Sequence, residues 1–192
     1  MKFKDEWNQL IKSIDEIKSK NFGIEYSDIL LELLVAGEDH RFWLHFGVDP
    51  IGLIRAFWKT TFCHRREGGS TIAMQLVRTI TKRYEISPQR KLKEIYLAIR
   101  LTLTLERKEI LMLYLNVAYF GWNMHGIKQT CNALGLDKCA LSNDEAASIV
   151  ARLKYPEPRF NKNKKLKAID LRANHIINRF NQLNTKEHYG TV

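Results

Sequence analysis

Eight residues from Ile29 to Ala36 carry a single charge, Glu32, and so apolar a run has to be buried wherever the chain places it. It ends in the stretch Gly37 to Asp49, G-E-D-H-R-F-W-L-H-F-G-V-D, where two adjacent carboxylates, aromatic residues and histidines crowd into a dozen positions. If the run is helical and continues past Gly37, then Glu38, Phe42 and His45 share a face with Leu31, Leu34 and Val35. A carboxylate on such a face loses hydration and gains proton affinity, which suits general acid or base work near neutral pH. The alternative is an acid at a helix end, solvated or paired with Arg41 or a C-terminal lysine.

A chain of 192 residues, 45% hydrophobic and 10% aromatic, can bury one substantial core. Only four prolines and ten glycines interrupt it, and long segments have helical spacing, so the expected class is all-α. A formal charge of +10 calls for an anionic partner: nucleic acid, an anionic membrane surface or a phosphate-bearing substrate. Cys63, Cys131 and Cys139 are an odd number without metal-ligand spacing and read as buried or incidental thiols. No signal peptide is visible, and no stretch approaches the roughly 18 to 20 apolar residues of a membrane-spanning helix.

In residues 1–20 the side chains Phe3, Trp7, Leu10, Ile11, Ile14 and Ile17 fall on one helical face, suited to docking on the protein's own core or to lying on a membrane. Ser27 or Asp28 can cap the next helix. Gly47 to Pro50 reads as a turn before the apolar segment Ile51 to Phe62, and Cys63 to Gly69 as a mobile loop. Ser70 is the expected cap of a helix from Thr71 to about Arg83. On it Thr71, Gln75, Arg78 and Lys82 form a polar stripe opposite Ile72, Ala73, Leu76, Val77 and Ile80. Hydroxyl, amide, guanidinium and ammonium groups in a row suit a phosphate or sugar-phosphate; a solvated face is the plainer reading.

Ser87-Pro88 opens a helix running to about Arg107 that leucines and isoleucines almost encircle, which predicts a central, nearly buried element. Glu94 lies on its Leu97, Ala98, Leu101 face, one turn after Arg90, so it is either functional or half of a helix ion pair. A helix from Glu109 ends in Asn116 to Gly121, Trp122 to Gly126 reads as a loop, and His125 as a surface or packing histidine. Ser142 and Glu145 make a capping box for a helix to Lys154, before the Tyr155 to Pro158 turn. The core is expected at about 25–160, with a basic C-terminal helix and frayed tail at about 161–192, and without a second domain.

Four strings occur in order: E-D-H-R-F-W-L-H-F-G-V-D at 38–49, G-G-S-T-I-A-M-Q-L at 68–76, R-K-L-K-E at 90–94 and E-I-L-M-L-Y-L-N-V-A-Y-F-G at 109–121. A weaker fifth covers 144–158. With these the chain resembles the family 51 glycosyltransferases, the peptidoglycan glycosyltransferase domain of class A penicillin-binding proteins and of monofunctional biosynthetic transglycosylases. The resemblance implies an all-α, lysozyme-like, bilobal helical domain with a cleft between the lobes. It implies polymerisation of lipid II into β-1,4-linked glycan strands, with inversion and release of undecaprenyl pyrophosphate.

By that resemblance Glu38 is the general base on the acceptor hydroxyl. Glu94 is the second acid, acting near the donor pyrophosphate directly or through a divalent cation, Mg2+ or Mn2+. Thr71, Gln75, Arg78, Arg90 and Lys91 match positions that line the donor site, while Asp39, Phe42, His45, Asn116 and Tyr119 match positions that shape the cleft or brace the acids. The implied partners are lipid II, the nascent glycan on undecaprenyl pyrophosphate and a membrane surface, and the implied location is the bacterial cell envelope, periplasmic or at the outer face of the cytoplasmic membrane. The family's anchor and transpeptidase domain are not visible in these residues, and Ala73-Met74 and Thr79 depart from the usual second motif beside the polar stripe. These departures leave open a catalytically degenerate relative that binds lipid-linked precursor or a membrane-bound partner. Nucleic acid is not an expected partner, since the basic residues form no known reading motif. A lytic hydrolase gains little from a phosphate clamp.

Overall fold

A computed structural model describes residues 2–20, 26–62, 68–160 and 162–189. Of the expected loop at Cys63 to Gly69, residues 63–67 lie outside the described residues, as does the tail beyond Tyr189. Within them the chain is all-α apart from one small hairpin. The helices are α1 (Lys2–Lys20), α2 (Asp28–Glu38), α3 (Pro50–Phe62), α4 (Ile72–Thr81), α5 (Pro88–Thr104), α6 (Arg107–Val117), α7 (Gly126–Leu134), α8 (Asn143–Lys154) and α9 (Lys162–Tyr189). The hairpin pairs β1 (Tyr119–Gly121) with β2 (Met124–His125) in the segment read as a loop. Three and two residues carry too little alternation to reveal a strand from sequence.

The helices form two compact units, Met1–Lys20 with Arg41–Tyr114 and Asn21–His40 with Leu115–Val192. In the first, α4 packs against α5 and α1 packs on α4. Trp7, Leu10 and Ile14 of α1 are buried, so the amphipathic N-terminal helix docks on the core of its own unit. Polar contacts fix the same junction. Glu6 accepts from Lys93 at 2.8 Å and from Arg83 at 2.9 Å. Burial alone would raise the proton affinity of Glu6, but the hydrogen bonds from Lys93 and Arg83 outweigh it and hold the carboxyl below its ordinary value.

A depressed carboxylate stabilises the fold above its unfolded value and loses that contribution as the pH falls through its folded value. Glu6→Gln is therefore expected to cost about 1 kcal/mol at pH 7, a figure discounted for the exposure of its partners. The difference from wild type should shrink as the pH falls below the ordinary carboxylate range and Glu6 takes up its proton, and urea melts at neutral and acid pH check it.

Helix α5 departs from expectation. It buries one stripe, Glu94, Leu97, Ala98, Leu101 and Thr102, while Leu92, Tyr96, Ile99 and Leu103 are exposed. Leucines all round a helix report its apolar content; how much of it is covered depends on neighbours that the periodicity does not specify. Ser87 caps α5 by accepting from the Arg90 N–H, with Pro88 at the first helical position as anticipated. Helix α3 leaves Ile51, Ile54, Trp58 and Phe62 exposed at helical spacing along one side.

In the second unit α2 lies against α8 and α9, which also pack on each other. The Ser142–Glu145 capping box forms as read, starting α8 at Asn143. Cys131 is a buried thiol with a pKa pushed up to about 11, chiefly by burial, which leaves it protonated and inert at neutral pH. Gly37 faces Val150 and Ile176, and a Cβ there would stand 3.0 Å and 3.2 Å from their Cγ1 atoms. Its missing side chain allows the end of α2 to approach α8 and α9 closely.

Candidate active site

Glu38 is the last residue of α2, and the helix stops there. Asp39 leaves the helical region at φ −155°, ψ 66°, and Phe42–Leu44 forms a separate 3-10 turn followed by an extended His45. This corrects the continuous helix, and with it the shared face of Glu38, Phe42 and His45. Gly37 is a weak helix former, and Glu38 and Asp39 stand at the negative end of the helix dipole, so propagation ends at the acids. The consequence is chemical: Glu38 sits at a helix end with 15% of its side chain accessible, while Asp39 is buried.

One partner of Glu38 comes from the far end of the chain. Arg172, on α9, donates through Nη2 to the Gly37 carbonyl at 2.7 Å and to Glu38 Oε1 at 3.3 Å. His175 lies further along the same helix. Burial first, then Arg172, Arg179 and Lys154, lower its proton affinity, which keeps it neutral at neutral pH. In the same unit Tyr26 donates to Asn116 Oδ1 at 2.6 Å, and burial pushes the Tyr26 phenol up to about 12, so it remains a donor. Asn116 is thereby fixed by a tyrosine 90 positions away. Tyr119 is exposed and its ring meets that of His125 at 4.9 Å.

The other acid lies in the first unit. Glu94 is 3% exposed, bonded through Oε2 to Arg90 Nη1 and through Oε1 to Lys91 Nζ at 2.8 Å. Lys91 also reaches Ser70 Oγ at 3.0 Å. The Arg90–Glu94 helix pair therefore exists, extended by a second cation. Arg78, Arg83, Arg90 and Lys93 line one recess together with Glu94. Glu6 holds Arg83 and Lys93 while Glu94 holds Arg90, so the four cations face two carboxylates, and the positive charge left over suits an anionic ligand beside the recess.

The polar stripe is shorter than read. Thr71, not Ser70, caps α4: its hydroxyl accepts from the Met74 N–H at 3.2 Å and donates to the Gly47 carbonyl at 2.6 Å. Thr71 is buried, so it anchors the Gly47 turn and presents no hydroxyl on the stripe. Gly47 must be glycine, because its φ is +80° and a Cβ would lie 2.3 Å from the Ala98 carbonyl oxygen on α5. Gln75 and Arg78 are partly exposed, and Gln75 Oε1 accepts from Tyr114 at 2.6 Å, while Lys82 lies just past the helix in the left-handed region. Ala73 and Met74 are fully buried, so that departure from the usual motif changes packing beneath α4 and leaves the exposed stripe as it was. Thr79 bonds back to the Gln75 carbonyl at 2.8 Å.

Phe42 and His45 are both buried, their rings edge to face at 6.3 Å. Arg107 braces this turn, donating to the Phe42 carbonyl and lying over the Phe42 and Phe46 rings. Sequence reasoning missed Arg107, Tyr114, Tyr26 and Arg172. Each acts on a partner too far along the chain for periodicity to connect them.

A resident Mg2+ or Mn2+ at Glu94 does not fit the donor set. Both carboxylate oxygens already face cationic nitrogens, and the described residues hold no group of three His, Cys, Asp or Glu placed to bind a metal.

Over residues 8–181 the chain matches the protein family described as Transglycosylase. It is 38% identical to penicillin-binding protein 1A of Aquifex aeolicus (strain VF5) over 129 residues, 66% of this chain and 18% of that protein. It is 42% identical to penicillin-binding protein 1A of Escherichia coli (strain K12) over 99 residues, 51% of this chain and 12% of that protein. The Haemophilus influenzae protein of the same name aligns over 176 residues at 32% identity, 88% of this chain and 20% of its own length. The chain thus spans about a fifth of these relatives or less.

Proposed function

The chain belongs to the transglycosylase family, a family of peptidoglycan glycosyltransferases, and we propose that it polymerises lipid II into β-1,4-linked glycan strands. Glu38 takes the proton of the acceptor's GlcNAc 4-hydroxyl as that oxygen attacks the anomeric carbon of the donor sugar. The bond to the donor phosphate breaks, its electron pair leaves with undecaprenyl pyrophosphate, and the α-linked ester becomes a β-glycosidic bond. The leaving group is already a good one, so charge stabilisation by Arg78, Arg90 and Lys91 counts for more than protonation. Glu94 holds Arg90 and Lys91 in place.

The observation that carries this reading is the cluster of cationic side chains around Glu94, with Arg90 and Lys91 bonded to it and Arg78 nearby. A hydrolase expelling a neutral sugar needs a protonating acid there, and a ring of guanidinium and ammonium groups disfavours one. Among the described residues no helix is long and apolar enough to cross a membrane. We assign the contact with the lipid-borne substrate to the exposed ridge Ile51, Ile54, Trp58 and Phe62 of α3, whose neighbours Arg55 and Lys59 suit anionic headgroups. The location we propose with it is the periplasmic or outer face of the cytoplasmic membrane.

Incubation of the purified protein with labelled lipid II in detergent tests the proposal. The expected product is a polymer that a muramidase cuts back to disaccharide units. Absence of polymer, or shortening of preformed strands, would contradict it.

A further inference from the structure

Helix α9 lies beyond the four strings that carry the family resemblance, yet it delivers a guanidinium to Glu38. Three observations bear on what Arg172 does there. Its Nη2 serves two acceptors at once, the Gly37 carbonyl at 2.7 Å and Glu38 Oε1 at 3.3 Å. The Gly37 carbonyl belongs to the last turn of α2, where carbonyls have no partner within the helix, so the bond fixes the backbone that carries the acid. Gly37 itself lets this turn approach α8 and α9 closely, as shown by the 3.0 Å and 3.2 Å distances its Cβ would have to Val150 and Ile176.

The third observation concerns cost. Arg172 Nε is buried without a hydrogen-bond partner among the described residues. Holding the guanidinium at this point therefore carries a desolvation cost, which its bonds to the Gly37 carbonyl and Glu38 offset.

We infer that Arg172 is the positioning residue of Glu38: it holds the carboxylate and the backbone beneath it in one orientation, so that one oxygen is restrained while the carboxylate faces the acceptor hydroxyl. This rests on the reading of Glu38 as general base and adds to it a residue from the C-terminal helix. The role is orientation, and it does not touch substrate. Its loss should lower the turnover step and leave substrate affinity in place, because a misplaced base lets substrate bind as well but takes the proton of the attacking hydroxyl less often.

The test compares Arg172→Met, Arg172→Lys and Glu38→Gln with wild type, measuring kcat and KM for lipid II polymerisation well below each protein's thermal midpoint. Arg172→Met should lose on the order of 10- to 100-fold in kcat with KM within about twofold. Arg172→Lys should recover to within about threefold of wild type, since a single donor nitrogen serves both acceptors and an ammonium can supply it. If Arg172→Met unfolds, the kcat of Arg172→Lys decides: recovery supports the inference, and a kcat as low as that of Glu38→Gln overturns it. An unchanged kcat in Arg172→Met, or a raised KM at unchanged kcat, overturns the inference while Glu38→Gln remains inactive. Retained turnover in Glu38→Gln would instead overturn the general-base reading, and the inference with it.

Discussion

Glu38→Gln should lower kcat for glycan polymerisation by about 10³-fold or more, within the 10²- to 10⁴-fold range of a lost general base, or roughly 4 kcal/mol of barrier. The amide is nearly isosteric, can still accept from Arg172, and removes only the ability to take a proton. The site is tolerant of the change because Glu38 ends α2 with part of its side chain accessible. The ion pair lost with Arg172 is partly solvated and contributes little, so the thermal midpoint should move by no more than about 2–4 °C, the shift that about 1 kcal/mol produces in a chain of this size. Circular dichroism melts and a polymerisation assay on the same preparation separate the two effects.

Glu94→Gln should behave in the opposite manner, losing stability and activity together. Glu94 is 3% exposed and is the counter-charge shared by Arg90 and Lys91. The neutral amide leaves Arg90 and Lys91 without their shared counter-charge, beside a recess that Arg78, Arg83 and Lys93 also line. Removing one partner of a buried pair costs about 3–5 kcal/mol, and the partial exposure of Lys91 reduces this to about 2–4 kcal/mol. A fall of roughly 5–12 °C in thermal midpoint follows. Polymerisation should fall by about 100-fold or more, because Arg90 and Lys91 lose the anchor that aims them at the donor diphosphate. Magnesium should not restore it, since the amide is a poorer ligand than the carboxylate it replaces. A variant as stable and as active as wild type would remove Glu94 from the donor site.

The difference between the two acids marks how far the residues alone could be read. The burial of Glu94 followed from the wheel of α5, where Leu97, Ala98 and Leu101 identify the covered side. The start of α8 was equally plain, because the capping box is a local exchange between Ser142 and Glu145. The apolar face of α1 was plain from its six positions, though these suit a core or a membrane alike, and the burial of Trp7, Leu10 and Ile14 decides for the core. Local and periodic interactions are written in neighbouring letters.

What was not legible depends on neighbours or on competing local choices. The end of α2 stays open in the sequence between a continuing helix and an acid at a helix end; the low propensity of Gly37 and the dipole penalty on Glu38 and Asp39 decide for the helix end. Ser70 and Thr71 are both good caps. Thr71 takes the position because its hydroxyl can also donate to the Gly47 carbonyl, 24 residues away. Arg172 is separated from Glu38 by 134 positions, and no spacing rule reaches so far. The buried Ala73 and Met74 show the same limit: a departure from a family string tells nothing of whether the changed side chain faces ligand or core.

The most direct measurement is a titration of Glu38→Gln with intact lipid II in detergent micelles, a substrate the variant cannot consume. The account predicts a Kd within about threefold of that of wild type for an unreactive lipid II analogue, because the proton-accepting group acts in the transition state and adds little to ground-state affinity. Binding lost together with turnover would make Glu38 part of the substrate-holding framework, and turnover kept at the wild-type rate would remove it from the chemistry altogether.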